Sequence, residues 1–377
     1  MNSDELALQL HKKFKGKIAT SLRDTPDSRE KLSAYYSPGV AAISKLIAED
    51  PSQLRNYTWT NNLVAVISNG SAVLGLGDIG PKAAMPVMEG KALLFKHFAG
   101  IDSVPIVLNA TTADEIVETV KRIAPSFGAI NLEDIAAPIC FEVEARLKEE
   151  LDIPVFHDDQ HGTAVVTLAG IINGLKVKGE TSIQNQKIVV VGSGAAGTAI
   201  AKLLNLYGAK DIIAVDSKGI IGPKRSDLNA EKQQLLAFNQ LGRNGQLEDA
   251  LDGADIFIGV SKAGLLTPEL IKRMNPNPII FALANPTPEI MPDVAKATGA
   301  AIVATGRSDF PNQVNNAVAF PGIFRGALDN GVTRITDQHK IAAAEAIASL
   351  VENPTADTII PSVFDDRLVP TVAKTII

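Results

Sequence analysis

The sequence has a single cysteine, Cys140, so no disulfide can close within the chain. That fits a reducing compartment, and Cys140, set in the apolar run Ala136–Phe141, reads as a small buried hydrophobe. No stretch of eighteen apolar residues occurs; the longest candidate, Ile188–Ala201, is interrupted by glycine and serine. The segment Met1 to Lys17 is polar and charged and lacks the apolar centre of a signal peptide. Excess positive charge is missing too: 36 Lys and Arg stand against 42 Asp and Glu, a formal net charge of −6. A nucleic-acid or anionic-membrane surface is therefore not expected. Internal repeats and low-complexity segments are also lacking. Together these absences predict a cytoplasmic soluble protein with no nucleic-acid and no membrane partner.

What is present is ample core material. At 377 residues and 46% apolar composition, the chain is long enough for two or three domains. Leu6, Leu10 and Phe14 recur at helical spacing behind Ser3 and Asp4. Ser37-Pro38 predicts the start of a second helix running to about Glu49. Leu63–Ser68 and Ala72–Leu76, joined by Asn69-Gly70, predict a β-hairpin. A helix over Ala83–Phe98 follows, then alternation through Val104–Leu108, Ala113–Ile123, Ala129–Leu132, Pro138–Glu150 and Pro154–Phe156. Short connections in that order predict a partly parallel sheet.

After a polar break at Lys176–Lys187 the pattern restarts with the strand Ile188–Val191. Helices over Gly197–Tyr207, Ala230–Leu241 and Pro268–Met274 separate strands at Asp211–Asp216, Asp255–Val260, Pro278–Leu283 and Ala301–Ala304, which describes a doubly wound sheet. From Pro311 the chain reads as helical again, with Gln338–Glu352 alanine-rich. The fold class is therefore α/β. Its expected units are 1–160, a mixed α/β domain; 161–310, a Rossmann-like domain; and 311–377, a helical segment packing back on the rest.

Two constellations carry chemistry. The first is Gly192-Ser193-Gly194-Ala195-Ala196-Gly197, which follows an apolar strand and opens a helix. Gly192 suits the tight turn, Gly194 lets backbone approach a pyrophosphate, and Gly197 allows close helix–strand packing. The helix start offers N–H groups to phosphates. Asp216, a strand later, would accept from ribose hydroxyls and repel a 2′-phosphate, favouring NAD, although Ser217 and Lys218 could instead meet that phosphate.

The second is a pair of acidic doublets at strand ends, Glu133-Asp134 and Asp158-Asp159. Carboxylates crowded there call for a cation, and an all-oxygen set selects Mg²⁺ or Mn²⁺. Spacing leaves open whether they instead cap the helices that follow. His157 and His161 flank the second doublet, but nothing else supports zinc. His11, His97 and His339 have no recognisable context. Tyr36 and Lys91 are further candidates, and Lys91 fits either a snorkelling surface lysine or a cleft lysine of lowered pKa.

In order along the chain, these motifs resemble the short prokaryotic malic enzymes: Tyr36-Ser37-Pro38-Gly39-Val40-Ala41, Leu74-Gly75-Leu76-Gly77-Asp78-Ile79-Gly80, Met88-Glu89-Gly90-Lys91, Asn131-Leu132-Glu133-Asp134, the run Phe156 to Ala164, the glycine loop, Ala284-Asn285-Pro286-Thr287, and Asn315-Asn316-Ala317 before Phe320-Pro321-Gly322. The resemblance implies oxidative decarboxylation of L-malate to pyruvate and CO₂, with a nicotinamide cofactor and a divalent metal. It implies Glu133, Asp134 and Asp159 as metal ligands, Lys91 as general base, Tyr36 as general acid and Asp158 as a supporting acid. Asn285 and Asn316 are the implied contacts to substrate and nicotinamide, and a homodimer is the implied assembly. One departure matters: where large malic enzymes carry a substrate-binding arginine before L-G-L-G-D, this chain reads Ser71-Ala72-Val73. Ending at Ile377, the sequence is also expected to lack the acyltransferase-like extension of some bacterial relatives. Rival readings are an oxaloacetate decarboxylase without net redox and a dinucleotide-sensing module.

Overall fold

The computed structural model of the chain describes residues 3–73 and 75–377. Met1, and Leu74 in the expected hairpin and the L-G-L-G-D motif, lie outside the described residues. The N-terminal part begins with helices α1 (Ser3–Phe14), α2 (Arg29–Tyr35), α3 (Val40–Glu49) and α4 (Leu54–Tyr57). There follow β1 (Leu63–Ser68), α5 (Gly80–Ala99), β2 (Asp102–Val107), α6 (Ala113–Ile123), β3 (Ala129–Leu132), α7 (Ile139–Glu150) and β4 (Val155–His157). The strands form one sheet in the order β2-β1-β3-β4, parallel throughout.

Two local expectations are corrected. Leu63–Ser68 is not half of a hairpin: all six residues are buried, and β1 sits between parallel partners on both sides, so no edge is left for an antiparallel return. Its unbroken apolar run is the signature of a strand covered on both faces. Gly70, at φ +69°, instead starts a loop that folds back so that the N–H groups of Ile79 and Gly80 reach its carbonyl at the start of α5. Ser37 does not cap a helix either. The second helix begins at Arg29 behind Ser28, whose hydroxyl accepts from the Lys31 N–H, and α3 starts only at Val40.

Helix α8 (Asp158–Val177) joins the two halves. Fourteen of its twenty residues are buried, and a Cβ at Gly170 would stand 2.9 Å from the Phe281 ring. The second sheet takes β5 (Lys187–Val191), β6 (Asp211–Asp216), β7 (Gly219–Ile220), β8 (Ile256–Gly259), β9 (Ile279–Ala282) and β10 (Ile302–Thr305) in the order β10-β9-β8-β5-β6-β7. All pairs are parallel except β6–β7. This is the doubly wound arrangement, with its switch point between β5 and β8. Its helices include α9 (Ala195–Leu206) and α10 (Ala230–Leu236), the latter ending five residues earlier than the sequence suggests; the shorter α11 (Leu247–Leu251), α12 (Pro268–Ile271) and α13 (Pro292–Ala297) follow.

The remaining helices are α14 (Phe320–Asp329), α15 (Asp337–Ser349) and α16 (Leu368–Ala373). Phe320 and Phe324 of α14 stack edge-on against Phe95 of α5, and Phe324 also meets Phe156 of β4, so the tail closes the core of the first sheet. Among the described residues no helix is long and apolar enough to cross a membrane.

Candidate active site

Strands β3 and β4 are hydrogen-bonded neighbours with Leu132 opposite His157, so the residues just beyond them must converge. Glu133-Asp134 and Asp158-Asp159 lie there, at the carboxyl edge of the first sheet, where open α/β sheets bind ligands. Asp158 and Asp159 open α8 without capping it; no side chain caps that helix. Asp158 Oδ2 instead lies 2.6 Å from Lys91 Nζ, and Asp159 Oδ2 accepts the Asp134 N–H at 2.7 Å. The capping alternative is thereby set aside.

Lys91 comes from the middle of α5 and is 7% exposed, which removes the snorkelling reading. Its ammonium is shared between Asp158 and Glu133, the latter at 2.9 Å, and lies 4.4 Å from the centre of the Phe320 ring. Gly162, one helical turn beyond Asp158, leaves it room: a Cβ there would fall 1.9 Å from Asp158 Oδ1 and 3.0 Å from Asn316 Cβ. Glu133 Oε2 accepts from Asn131 at 2.9 Å.

Four carboxylates around one ammonium set the electrostatics. Burial, with Asp159, Asp158 and Asp134 adding to it, holds the Glu133 carboxyl well above its ordinary pKa despite Lys91. Burial also raises Asp158 against the pull of Lys91. For Lys91 itself burial acts downward, but Asp158 and Glu133 outweigh it, and the ammonium is held above its ordinary value. The expectation of a lowered lysine pKa is therefore corrected: two carboxylates within hydrogen-bonding reach raise it instead.

Glu133, Asp134 and Asp159 each offer an oxygen, and these oxygens lie within 4.8 Å of one another. An all-carboxylate donor set suits a hard divalent cation, and the crowded negative charge is what such an ion neutralises. The residues fit Mg²⁺ or Mn²⁺.

Behind this cluster lies a chain of buried polar groups, of which sequence reasoning singled out only His157 and His161. The wholly buried His157 ring places Nε2 3.0 Å from Asp159 Oδ2 and Nδ1 2.8 Å from the Gln160 amide nitrogen. Burial resists a charged ring, and although Asp159 and Cys140 pull the other way and raise the His157 pKa, the amide N–H aimed at Nδ1 occupies the place of a second proton. Glu144 of α7 closes the chain, accepting from His157 N, Gln160, His161 and Lys148. Burial pushes Glu144 up, but His161 and Lys148 outweigh it and hold it well below the usual carboxylate range. Burial takes His161 down to about 3.

The glycine loop faces the same space. Gly192 adopts φ +113°, and a Cβ on it would meet the Val260 carbonyl at 2.7 Å. A Cβ on Gly197 would lie 1.7 Å from the Gly192 carbonyl, whereas one on Gly194 would meet nothing within 4 Å. Ser193 is in the turn, and α9 starts at Ala195 with no side-chain cap over its first N–H groups. A cavity of about 620 Å³ is lined by Asp134, Asp159, Gly194, Ala195, Asn285 and Asn316, among others, so the acidic cluster and the loop share one space. Glu289, another buried group missed from sequence, accepts from the N–H groups of Ser261 and Ala284 and so ties two strand-end loops of that cavity together. Its signal was faint: one acid just after a proline-flanked turn.

Asp216 stands at the end of β6 but is not free. Arg225 grips both its oxygens, at 3.0 and 3.1 Å, and Lys232 adds a contact of 2.6 Å. Tyr36 is the candidate the structure does not bring to the cluster. It follows α2, is 72% exposed and does not line the cavity. Ser71, in the stretch without the arginine, accepts from the Ala136 N–H beside the acidic doublet.

Comparison with known proteins accords with this geometry. The malic enzyme N-terminal domain model matches residues 15–115 and 110–148, and the malic enzyme NAD-binding domain model matches residues 160–374. A bifunctional malic/malolactic enzyme of Bacillus subtilis is 55% identical over all of this chain and 92% of its own length. An NAD-dependent malic enzyme of Geobacillus stearothermophilus is 52% identical over 96% of this chain and 76% of its own. The crystal structure of the NAD-dependent malic enzyme of Thermotoga maritima superposes with a TM-score of 0.95 at 51% identity, covering 98% of each chain. Sequence, sheet order and strand-end chemistry agree, and the chain belongs to the malic enzyme family.

Proposed function

We propose that this chain oxidatively decarboxylates L-malate to pyruvate and CO₂, reducing NAD, with a divalent metal held by Glu133, Asp134 and Asp159. The observation that carries it is the shared cavity: Asp134 and Asp159, the outer carboxylates of the cluster that buries Lys91 behind them, line the same space as a dinucleotide-type glycine loop. A bound Mg²⁺ or Mn²⁺ supplies Lewis-acid polarisation of the substrate's hydroxyl and carbonyl oxygens. The chain's own groups move the protons. The acceptor is the Lys91–Asp158 pair: Asp158 Oδ2 can hold the ammonium's proton while Nζ takes the one leaving the malate hydroxyl. Asn285 and Asn316, which line the same cavity, orient substrate and nicotinamide. Loss of CO₂ leaves an enolate whose C3 needs a weak acid, the role assigned to Tyr36.

The same reading includes a homodimer. Among the described residues, twelve of the twenty-one exposed large apolar side chains fall between Leu6 and Trp59, and α2 and α3 bury no residue at all. Such a surface supports an interface. The segment bearing Tyr36 is rooted near Arg23, paired with Asp102, and returns into Leu63; both lie at the amino edge of the first sheet, opposite the carboxylates. We infer that a second copy covers this surface and that Tyr36 meets the cluster across the interface. NADH formation from malate with Mn²⁺ tests the activity. Pyruvate from oxaloacetate without NADH from malate would instead establish the decarboxylase alternative.

A further inference from the structure

We propose that Glu144, acting through Gln160 and His157, positions Asp159 so that its Oδ1 faces the metal. The inference rests on the reading that Asp159 is a metal ligand, and it assigns three positioning residues behind that ligand.

Four donors converge on Glu144: the His157 N–H at 3.0 Å, Lys148 at 2.7 Å, the Gln160 side chain at 3.3 Å and His161 at 2.8 Å. An ionised carboxylate accepts hydrogen bonds and donates none. The end of the Gln160 amide that faces Glu144 is therefore its NH₂. That same nitrogen lies 2.8 Å from His157 Nδ1, so its second N–H points at the ring and Nδ1 must accept. The imidazole proton then sits on Nε2, where it donates to Asp159 Oδ2 at 3.0 Å. The backbone N–H of Asp134 donates to the same oxygen at 2.7 Å. With Oδ2 held by two donors, Oδ1 is the oxygen that Asp159 presents to the cluster.

His157 is 0% exposed and fixed at the end of β4, so water cannot stand in for either partner of its ring. A charge on α7 thus fixes the tautomer of a residue on β4, and the tautomer fixes a carboxylate on α8. Outer partners of this kind typically carry about 10–100-fold in metal affinity.

The test reads metal directly, as free Mn²⁺ by electron paramagnetic resonance, without substrate or turnover. Glu144→Gln keeps the shape but turns an NH₂ toward Gln160, because Lys148 and the His157 N–H still require an oxygen on their side. The Gln160 amide must then flip, its oxygen faces Nδ1, and the ring proton moves off Nε2. The expected result is an Mn²⁺ Kd raised about 10–100-fold. Gln160→Met, which leaves the tautomer unfixed, should raise it less. A second measurement uses the unaltered protein: ¹⁵N-histidine spectra should show the His157 proton on Nε2. A proton on Nδ1 overturns the proposal even where the variants fold poorly. Asp159→Asn separates the two layers. If it weakens Mn²⁺ binding while Glu144→Gln leaves it unchanged, the positioning chain is wrong; if Asp159→Asn itself changes nothing, the metal-site reading falls and this inference with it.

Discussion

The carboxyl edges of the two parallel sheets open on one cavity, yet they are built from opposite materials. The first edge holds five ionisable side chains, Lys91, Glu133, Asp134, Asp158 and Asp159, locked to each other by short contacts. The second is backbone: a glycine turn, an uncapped helix start and few charges until Asp216. Fixed, largely buried charges suit a reaction in which charge moves. Backbone amides suit an anion that must bind and leave again. The division predicts that substitutions at the first edge act on rate, and those at the second on cofactor binding.

The largest effect is expected at Lys91. Lys91→Ala removes the only cation described within the four-carboxylate cluster. Malate oxidation should fall about 10²–10⁴-fold, and stability by about 3–5 kcal/mol, because two buried carboxylates lose their partner. Rates come from NADH formation and stability from denaturant unfolding. Near-normal turnover in a folded Lys91→Ala protein would break the contrast at its root.

The next sharpens the role given to Tyr36. Lys91→Ala and Tyr36→Phe subunits should each be inactive alone. Co-assembled at equal amounts, they should regain about a quarter of the parent activity, as random assortment into two-fold dimers gives one intact site per mixed dimer. No recovery, with mixed dimers shown by mass spectrometry, would place Tyr36 with its own chain's site.

At the second edge the three glycines should separate. Gly197→Ala drives a methyl into the Gly192 carbonyl and should cost about 1–3 kcal/mol of stability or more. Gly194→Ala meets open space at φ −84°, so stability should hold. Its methyl would instead keep backbone amides from the pyrophosphate, weakening NAD about 10–100-fold, the scale of one hydrogen bond to a charged group. Titration calorimetry and thermal melts read the two effects apart.

The sequence made the two edges legible to different degrees. Acidic doublets and the glycine string are local, and each stands beyond an apolar strand that can be read without a structure. The partners that set their behaviour are not local. Glu144 lies on a helix thirteen residues before His157 and looks like one side of an i,i+4 pair with Lys148. Arg225 and Lys232 come from a turn and a short helix that no periodicity links to Asp216. The hairpin expectation failed for a related reason: Asn69-Gly70 is a strong turn signal, but whether a strand lies at an edge or in the centre is decided by neighbours distant in sequence. The exposed N-terminal helices show the converse, since the Leu6-Leu10-Phe14 stripe reads correctly as helix while saying nothing of what covers it.

The smallest expected effect concerns the choice of cofactor. Asp216 alone would repel a 2′-phosphate, which is the sequence argument for NAD. In the structure Arg225, Lys232 and Lys218 surround it and Asp227, so three cations face two anions. Burial pushes the Asp216 carboxyl up, but Arg225 and Lys232 outweigh it and bring it down to about 2, so it stays ionised at any working pH. Discrimination against NADP should therefore be modest. Asp216→Ser frees both cations for the phosphate and should shift the NAD-to-NADP ratio of kcat/KM about fivefold toward NADP, the scale of one partly screened charge near 1 kcal/mol. Arg225→Ala should move the ratio the opposite way, since the carboxylate then repels with less to offset it. Between pH 7 and 9 the ratio of the parent protein should stay flat, because Asp216 is fully ionised throughout. Below about pH 6 it should drift toward NADP, as the 2′-phosphate gains a proton and the repulsion weakens. If both substitutions shift the ratio in the same direction, the cluster is not what reads the ribose. A parent protein that strongly prefers NADP would show that Arg225, Lys232 and Lys218 outweigh Asp216 altogether.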